Sequence, residues 1–219
     1  GGDGNSWATA FSSLQDALVK ALPGDEIWVA EGSYTPDQGK ERLAGDRTAS
    51  FELNTGVTLY GGFLGNEMNR MPEGNASQTI LSGSINDDFS LHSIHVVTIN
   101  PNSVGKIILD GFTITQGNAN GDGTLSKGGG VYGMSTKQCY LYFNNCFFKD
   151  NKSVDSGAAV YINEHSYGSR ATTFNNCTFI GNHAGNDGGA VFASGKVNFK
   201  RCIFQKNYAE NSGGAVYSS

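Results

Sequence analysis

The last third of the chain repeats itself. Phe143-x-x-Cys146-x-Phe148-x-x-Asn151 returns as Phe174-x-x-Cys177-x-Phe179-x-x-Asn182, and again as Phe199-x-x-Cys202-x-Phe204-x-x-Asn207. Leu109-x-x-Phe112-x-Ile114, followed by Asn118, looks like a degenerate earlier copy. A second motif interleaves as Gly128-Gly129-Gly130-Val131, Gly157-Ala158-Ala159-Val160, Gly188-Gly189-Ala190-Val191 and Gly213-Gly214-Ala215-Val216. An aromatic follows each time: Tyr132, Tyr161, Phe192 and Tyr217. The first glycines stand 29, 31 and 25 residues apart. A fixed motif at a variable period means one structural turn that tolerates loop insertions.

Upstream, the chain reads as short strands between turns. Ile27-Trp28-Val29, Phe51-x-Leu53, Val57 to Tyr60, Thr79-Ile80-Leu81, His95 to Ile99, Lys106 to Leu109 and Phe112-Thr113-Ile114 are brief apolar runs bounded by Gly, Asn, Asp or Ser. Only the start looks helical: Phe11, Leu14, Leu18 and Leu22 share one face, with Thr9 or Ser12 as N-cap and Pro23-Gly24 as the stop. Short strands without crossover helices, at this period, predict an all-β fold: a parallel β-helix of roughly seven rungs spaced ~4.8 Å apart. About three strands would form each turn, with i and i+2 on one face. The Phe and Cys positions of the repeat then point inward, and Phe147, Thr178 and Ile203 outward. The helix would cap the first rung and hide its unpaired edge. The expectation is one domain over 1–219: a cap with its helix in 1–25, irregular rungs with long loops in 26–127, and regular repeats in 128–219. The chain stops in mid-repeat, as a piece of a longer protein would. Loops are expected at 35–48, 65–77, 118–127 and 163–170.

Composition supports turns over disorder. Glycine numbers 31 of 219, yet proline only 4 and charged residues 16%. A disordered chain needs more charge and fewer core formers. The net charge of −5 comes with no basic cluster, which argues against nucleic acid as a partner. No apolar run reaches the ~18 residues a transmembrane helix needs.

Several residue sets are candidates for chemistry. Cys146, Cys177 and Cys202 share one repeat position and should stack inward as reduced thiols, with one disulfide as the alternative. Asn151, Asn182 and Asn207 should sit at a left-handed bend and form an amide ladder from rung to rung. Tyr132, Tyr161, Phe192 and Tyr217 follow an inward valine and should form an outward aromatic column, a candidate binding face, with cover by long loops or simple stabilisation of the sheet by stacking as the alternatives. Asn118-x-Asn120-x-Asp122-Gly123 resembles half an EF-hand loop, but Gly129 stands where the bidentate Glu belongs, leaving only a weak calcium candidate. No other metal and no cofactor is expected. Asn86-Asp87-Asp88 is an adjacent carboxylate pair in a turn-like context, flanked by His92 and His95 without an obvious partner set, so no catalytic residue is assigned. Asn75-Ala76-Ser77 and Asn151-Lys152-Ser153 are formal glycosylation sequons.

The Gly-Gly-Ala-Val and Phe-x-x-Asn motifs resemble the polymorphic outer membrane protein repeats of chlamydiae. The N-terminal part is similar to a wider group through Asp3-Gly4-Asn5-Ser6-Trp7-Ala8, Gly24-Asp25-Glu26-Ile27-Trp28-Val29-Ala30 and Tyr60-Gly61-Gly62-Phe63. That group comprises bacterial-surface proteins of the pectin-lyase-like β-helix superfamily, and the resemblance implies that the solenoid is a right-handed, single-stranded parallel β-helix. The resemblance implies an extracellular or bacterial outer-surface location. It implies a noncatalytic adhesin or rigid stalk presenting loops to a protein or glycan of a host or neighbouring cell. Two alternatives stay open. One is a polysaccharide lyase or glycoside hydrolase of the same fold, although no Gly-His-Gly or Arg-Ile-Lys motif like that of polygalacturonases occurs. The other is a fibre subunit that associates end to end.

Overall fold

A computed structural model describes residues 2–69, 78–134, 138–163 and 171–219. Short strands recur in a fixed order and pair in parallel with their equivalents one turn away. The first sheet stacks Glu26–Ala30, Thr58–Phe63, Val104–Asp110, Gln138–Asn144, Ala171–Asn175 and Lys196–Lys200. The second stacks Gly32–Tyr34, Thr79–Ser82, Thr113–Thr115, Phe147–Lys149, Thr178–Ile180 and Ile203–Gln205. The third stacks Phe51–Leu53, Val97–Ile99, Val131–Met134, Val160–Asn163, Val191–Ser194 and Val216–Ser218. The fold is the expected parallel β-helix. Each long sheet holds six strands rather than the roughly seven rungs expected at one strand per period. The early turns are longer, because loops consume chain between their strands. A fourth sheet of two-residue strands (Asn118–Ala119, Lys152–Ser153, His183–Ala184, Tyr208–Ala209) was not anticipated.

The core is a set of columns. Phe143, Phe174 and Phe199 lie in register, as do Phe148, Phe179 and Phe204. Within each column the rings stack 4.7–5.2 Å apart. Between columns they meet edge to face, an arrangement the ring quadrupole favours. A valine column (Val97, Val131, Val160, Val191, Val216) closes the third side. Phe147 and Ile203 face out, 40% and 51% exposed, as the two-residue period requires.

All four cysteines are free. The thiols of Cys177 and Cys202 point at the carbonyls of Phe143 and Phe174, one rung back. The adjoining thiols of Cys146 and Cys202, together with burial, push the Cys177 thiol up, so it stays protonated.

Three bends per rung place a residue in the left-handed region. The first falls at Gly111, Asn145, Asn176 and Arg201, and the second at Gln116, Asp150, Gly181 and Lys206. The third falls at Gly128, Gly157, Gly188 and Gly213, with φ of 64 to 66°. A Cβ at Gly188 would lie 2.4 Å from the Val191 oxygen, so this bend admits only glycine. The expectation that Asn151, Asn182 and Asn207 occupy a left-handed bend is corrected, because the residue before each does so. Their amides serve the ladder instead. Asn151 Nδ2 donates to Asn182 Oδ1 at 3.0 Å, and Asn182 Nδ2 donates to Asn207 Oδ1 at 2.9 Å. In the degenerate earlier copy, Asn118 pairs with Lys152 and is one place out of register. The ladder there receives the Gly117 N–H, which donates to Asn151 Oδ1.

The helix is shorter than its periodicity suggested. It spans Leu14–Lys20 and is capped by Ser13, whose hydroxyl accepts from Asp16 N–H, rather than by Thr9 or Ser12. Leu22 stands 67% exposed beyond the helix. It precedes Pro23, which disfavours a helical backbone there. Leu14 and Leu18 do pack on the core. Gln15 pins the cap by donating from Nε2 to the Pro36 and Ser50 carbonyls. Among the described residues no helix is long and apolar enough to cross a membrane.

Candidate functional site

The glycine bend and the valine after it set up the outward aromatic column. With valine inside, the next residue must point out. Tyr132, Tyr161, Phe192 and Tyr217 are in register on the third sheet. Their ring centroids are 5.7, 4.9 and 5.3 Å apart, and each pair lies within 13° of parallel. His95 extends the stack by one ring, 4.8 Å from Tyr132. The column is only partly open: Tyr161 is 4% exposed, and the other three are half-buried. Lys127 closes over the Tyr161 ring at 5.3 Å and pairs with Asp155 at 3.3 Å. Burial works against the Lys127 charge, but Tyr161 and the Asp155 carboxylate outweigh it and hold the ammonium above its ordinary value.

His95 ends the ladder uncharged. Its Nδ1–H donates to the Gly128 carbonyl at 3.0 Å, and burial pulls the imidazole down from 6.5 to about 4. In the unfolded chain the ring takes up a proton near pH 6.5, whereas in the folded chain it resists until near pH 4. Stability tied to His95 is therefore complete above that upper value and is lost as pH falls through the window, by about 3 kcal/mol in all. Urea unfolding measured across this range should show the loss, and His95→Gln should flatten it. An unchanged slope in that variant would refute the assignment.

The other candidates are held in structural contacts. The oxygens of Asn118 (main chain) and Asn120 (side chain) accept from the Arg47 guanidinium, so a calcium ion there would have to displace a cation of the chain itself. Among the described residues no three His, Cys, Asp or Glu gather as for a metal ion. Asp88 caps a 3-10 turn, accepting from the Ser90 N–H and hydroxyl, and those bonds lower its carboxyl. His92 lies buried against the Gln116 and Asn86 carbonyls. Asn151 is wholly buried in the amide ladder, so its sequon is inaccessible in the folded chain. The Asn75 sequon and loop positions 70–77 and 164–170 lie outside the described residues.

One site escaped the sequence reading altogether. A cleft of about 870 Å³ opens between the N-terminal segment and the strand Glu26–Ala30. Trp28 stacks on Phe63 at 4.8 Å, and Trp7 leans on both. A signal was present, since Asp25-Glu26 is a second adjacent carboxylate pair besides Asp87-Asp88, with Trp28 two residues on.

Residues 176–194 and 201–219 match the model of the Chlamydia polymorphic membrane protein repeat. The two matches fall on successive turns of the helix, each running from the cysteine position through the glycine bend to the aromatic ladder. No curated protein and no solved structure matches the chain.

Proposed function

We propose that the chain is a noncatalytic β-helix module of a bacterial surface protein. In this reading it belongs to the pectin-lyase-like superfamily and acts as an adhesin or rigid stalk. The carrying observation is that the two repeats matching the family model stack in register, and that their outward rings, Phe192 and Tyr217, continue the ladder begun by Tyr132 and Tyr161. The stack makes a stiff scaffold, because each rung is hydrogen-bonded to the next along three sheets. Loops on a stiff scaffold are where binding sites concentrate. The ring edges offer amphipathic contact area at low entropic cost, suited to a glycan or protein on a host or neighbouring cell.

The test is adhesion. The purified chain, presented on beads, should bind cultured epithelial cells or a glycan array. The double variant Tyr132→Ser with Tyr217→Ser should bind about tenfold less while keeping a native circular dichroism spectrum. Binding unaffected by that change would remove the ladder from the reading. Release of unsaturated or reducing ends from acidic polysaccharides would replace the adhesin with an enzyme.

A further inference from the structure

The strand Glu26–Ala30, β1, stands first in its sheet. Its register pairs Glu26 with Thr58, and the Thr58 N–H donates to the Asp25 carbonyl. Along a parallel strand the backbone groups alternate in direction. The N–H and C=O of Glu26 and Trp28 therefore face away from the sheet. No backbone group among the described residues pairs with them. The capping helix borders this edge through Leu14, Ala17, Lys20 and Ala21 but gives it no backbone partner. It packs toward the strand Phe51–Leu53, and Ile27, which points into the core, stays partly exposed. The cleft of about 870 Å³ lies along this unpaired edge.

Its lining has two characters. Leu14, Ala21, Ile27 and Trp28 supply apolar surface beside the edge. Asp3, Asp25, Glu26 and Glu67 supply four carboxylates, and Lys20 is the one cation among the lining residues. The Asp3 carboxyl is held below its ordinary value by hydrogen bonds, first from Thr9. Unpaired backbone groups in a row select an extended chain. The carboxylates and the indole faces select positive charge on it. We propose that this cleft binds an extended peptide carrying lysine or arginine, which adds as a strand to the free edge of β1. Alternate side chains of the peptide would enter the apolar cleft and the intervening basic ones would reach the carboxylates. The site is separate from the aromatic ladder, so either can fail without the other.

The chain's two tryptophans, Trp7 and Trp28, both line this cleft, so tryptophan emission, excited at the red edge where tyrosine does not absorb, reads it. The probe is a capped hexapeptide of alternating lysine and valine. A saturable change in emission is expected, weakening as salt rises. The same peptide N-methylated on alternate residues, so that it cannot pair with a strand, should bind about tenfold more weakly. Its glutamate counterpart should not bind. Glu26→Lys, at an exposed position, should weaken binding by about two- to fivefold without altering the unfolding midpoint. Equal binding by the N-methylated peptide would overturn strand addition. So would saturation by a cello-oligosaccharide in place of the peptide, or no response to the peptide at millimolar concentration.

Discussion

Asn182→Ala is expected to lower the unfolding free energy by about 3–5 kcal/mol, far more than a polar-to-alanine change usually does. Asn182 is wholly buried, and its side chain joins three rungs. Oδ1 accepts from the N–H and the Nδ2 of Asn151, at 3.1 and 3.0 Å. Nδ2 donates to the Phe148 carbonyl and to Asn207 Oδ1, both at 2.9 Å. Alanine removes these four bonds and a longer one from Nδ2 to the Ile180 carbonyl at 3.4 Å, while water cannot reach the groups left behind. Each orphaned buried group costs about 1–3 kcal/mol. Asn151 Nδ2 keeps one partner, the Ile114 carbonyl, which keeps the total from rising further. Asn207 is the control. It is only partly buried, so solvent can replace what is lost, and Asn207→Ala should cost about 1 kcal/mol. Equilibrium urea unfolding distinguishes the two. If they prove equally mild, the ladder does not hold the rungs together.

That ladder was legible in the sequence, but its reason was not. The repeat put asparagine at one place per turn, and stacking followed from the period. The left-handed bend was assigned to the same residue because asparagine tolerates it. In fact Asp150, Gly181 and Lys206 take that conformation, and no residue type marks the position. A bend whose occupant varies leaves no trace in a single sequence. The inward Phe and Cys columns were legible because a two-residue period fixes their side. The cap was half legible. Leu14 and Leu18 announced a helix, but its ends were set by Ser13 and by Pro23, which compete with the apolar period extending to Phe11 and Leu22. That loops cover part of the aromatic column was open as an alternative in the sequence, but which side chain covers it was not legible. The cover depends on Lys127 folding over Tyr161, a contact between a loop and the neighbouring rung. The cleft beside β1 was missed for a related reason, since it is made where a cap stops short. Local sequence describes what an element covers, not what it leaves open.

Phe179→Ala should be comparably damaging, about 4–5 kcal/mol, and should also change how the chain unfolds. Phe179 has no exposed surface. It lies between Phe148 and Phe204, each 4.7 Å away and nearly parallel, and meets Phe174 edge-on at 5.3 Å. Truncation leaves a ring-sized void between rungs. Such a void is hard to fill, because the hydrogen-bonded strands on either side keep their spacing of ~4.8 Å. Phe179→Leu keeps most of the volume and should cost roughly half as much. Each rung touches only its neighbours, so stability is close to a sum of rung and interface contributions. Weakening one interface then uncouples what lies on its two sides. In hydrogen exchange, amides of 196–219 should lose protection in Phe179→Ala before those of Leu141 to Asn144 do. Phe204→Ala removes the same ring one rung later, where the ring is already partly exposed, and should leave the inner rungs protected. Uniform loss of protection along the chain in both variants would mean that the solenoid unfolds as a single unit, against the nearest-neighbour account of its stability.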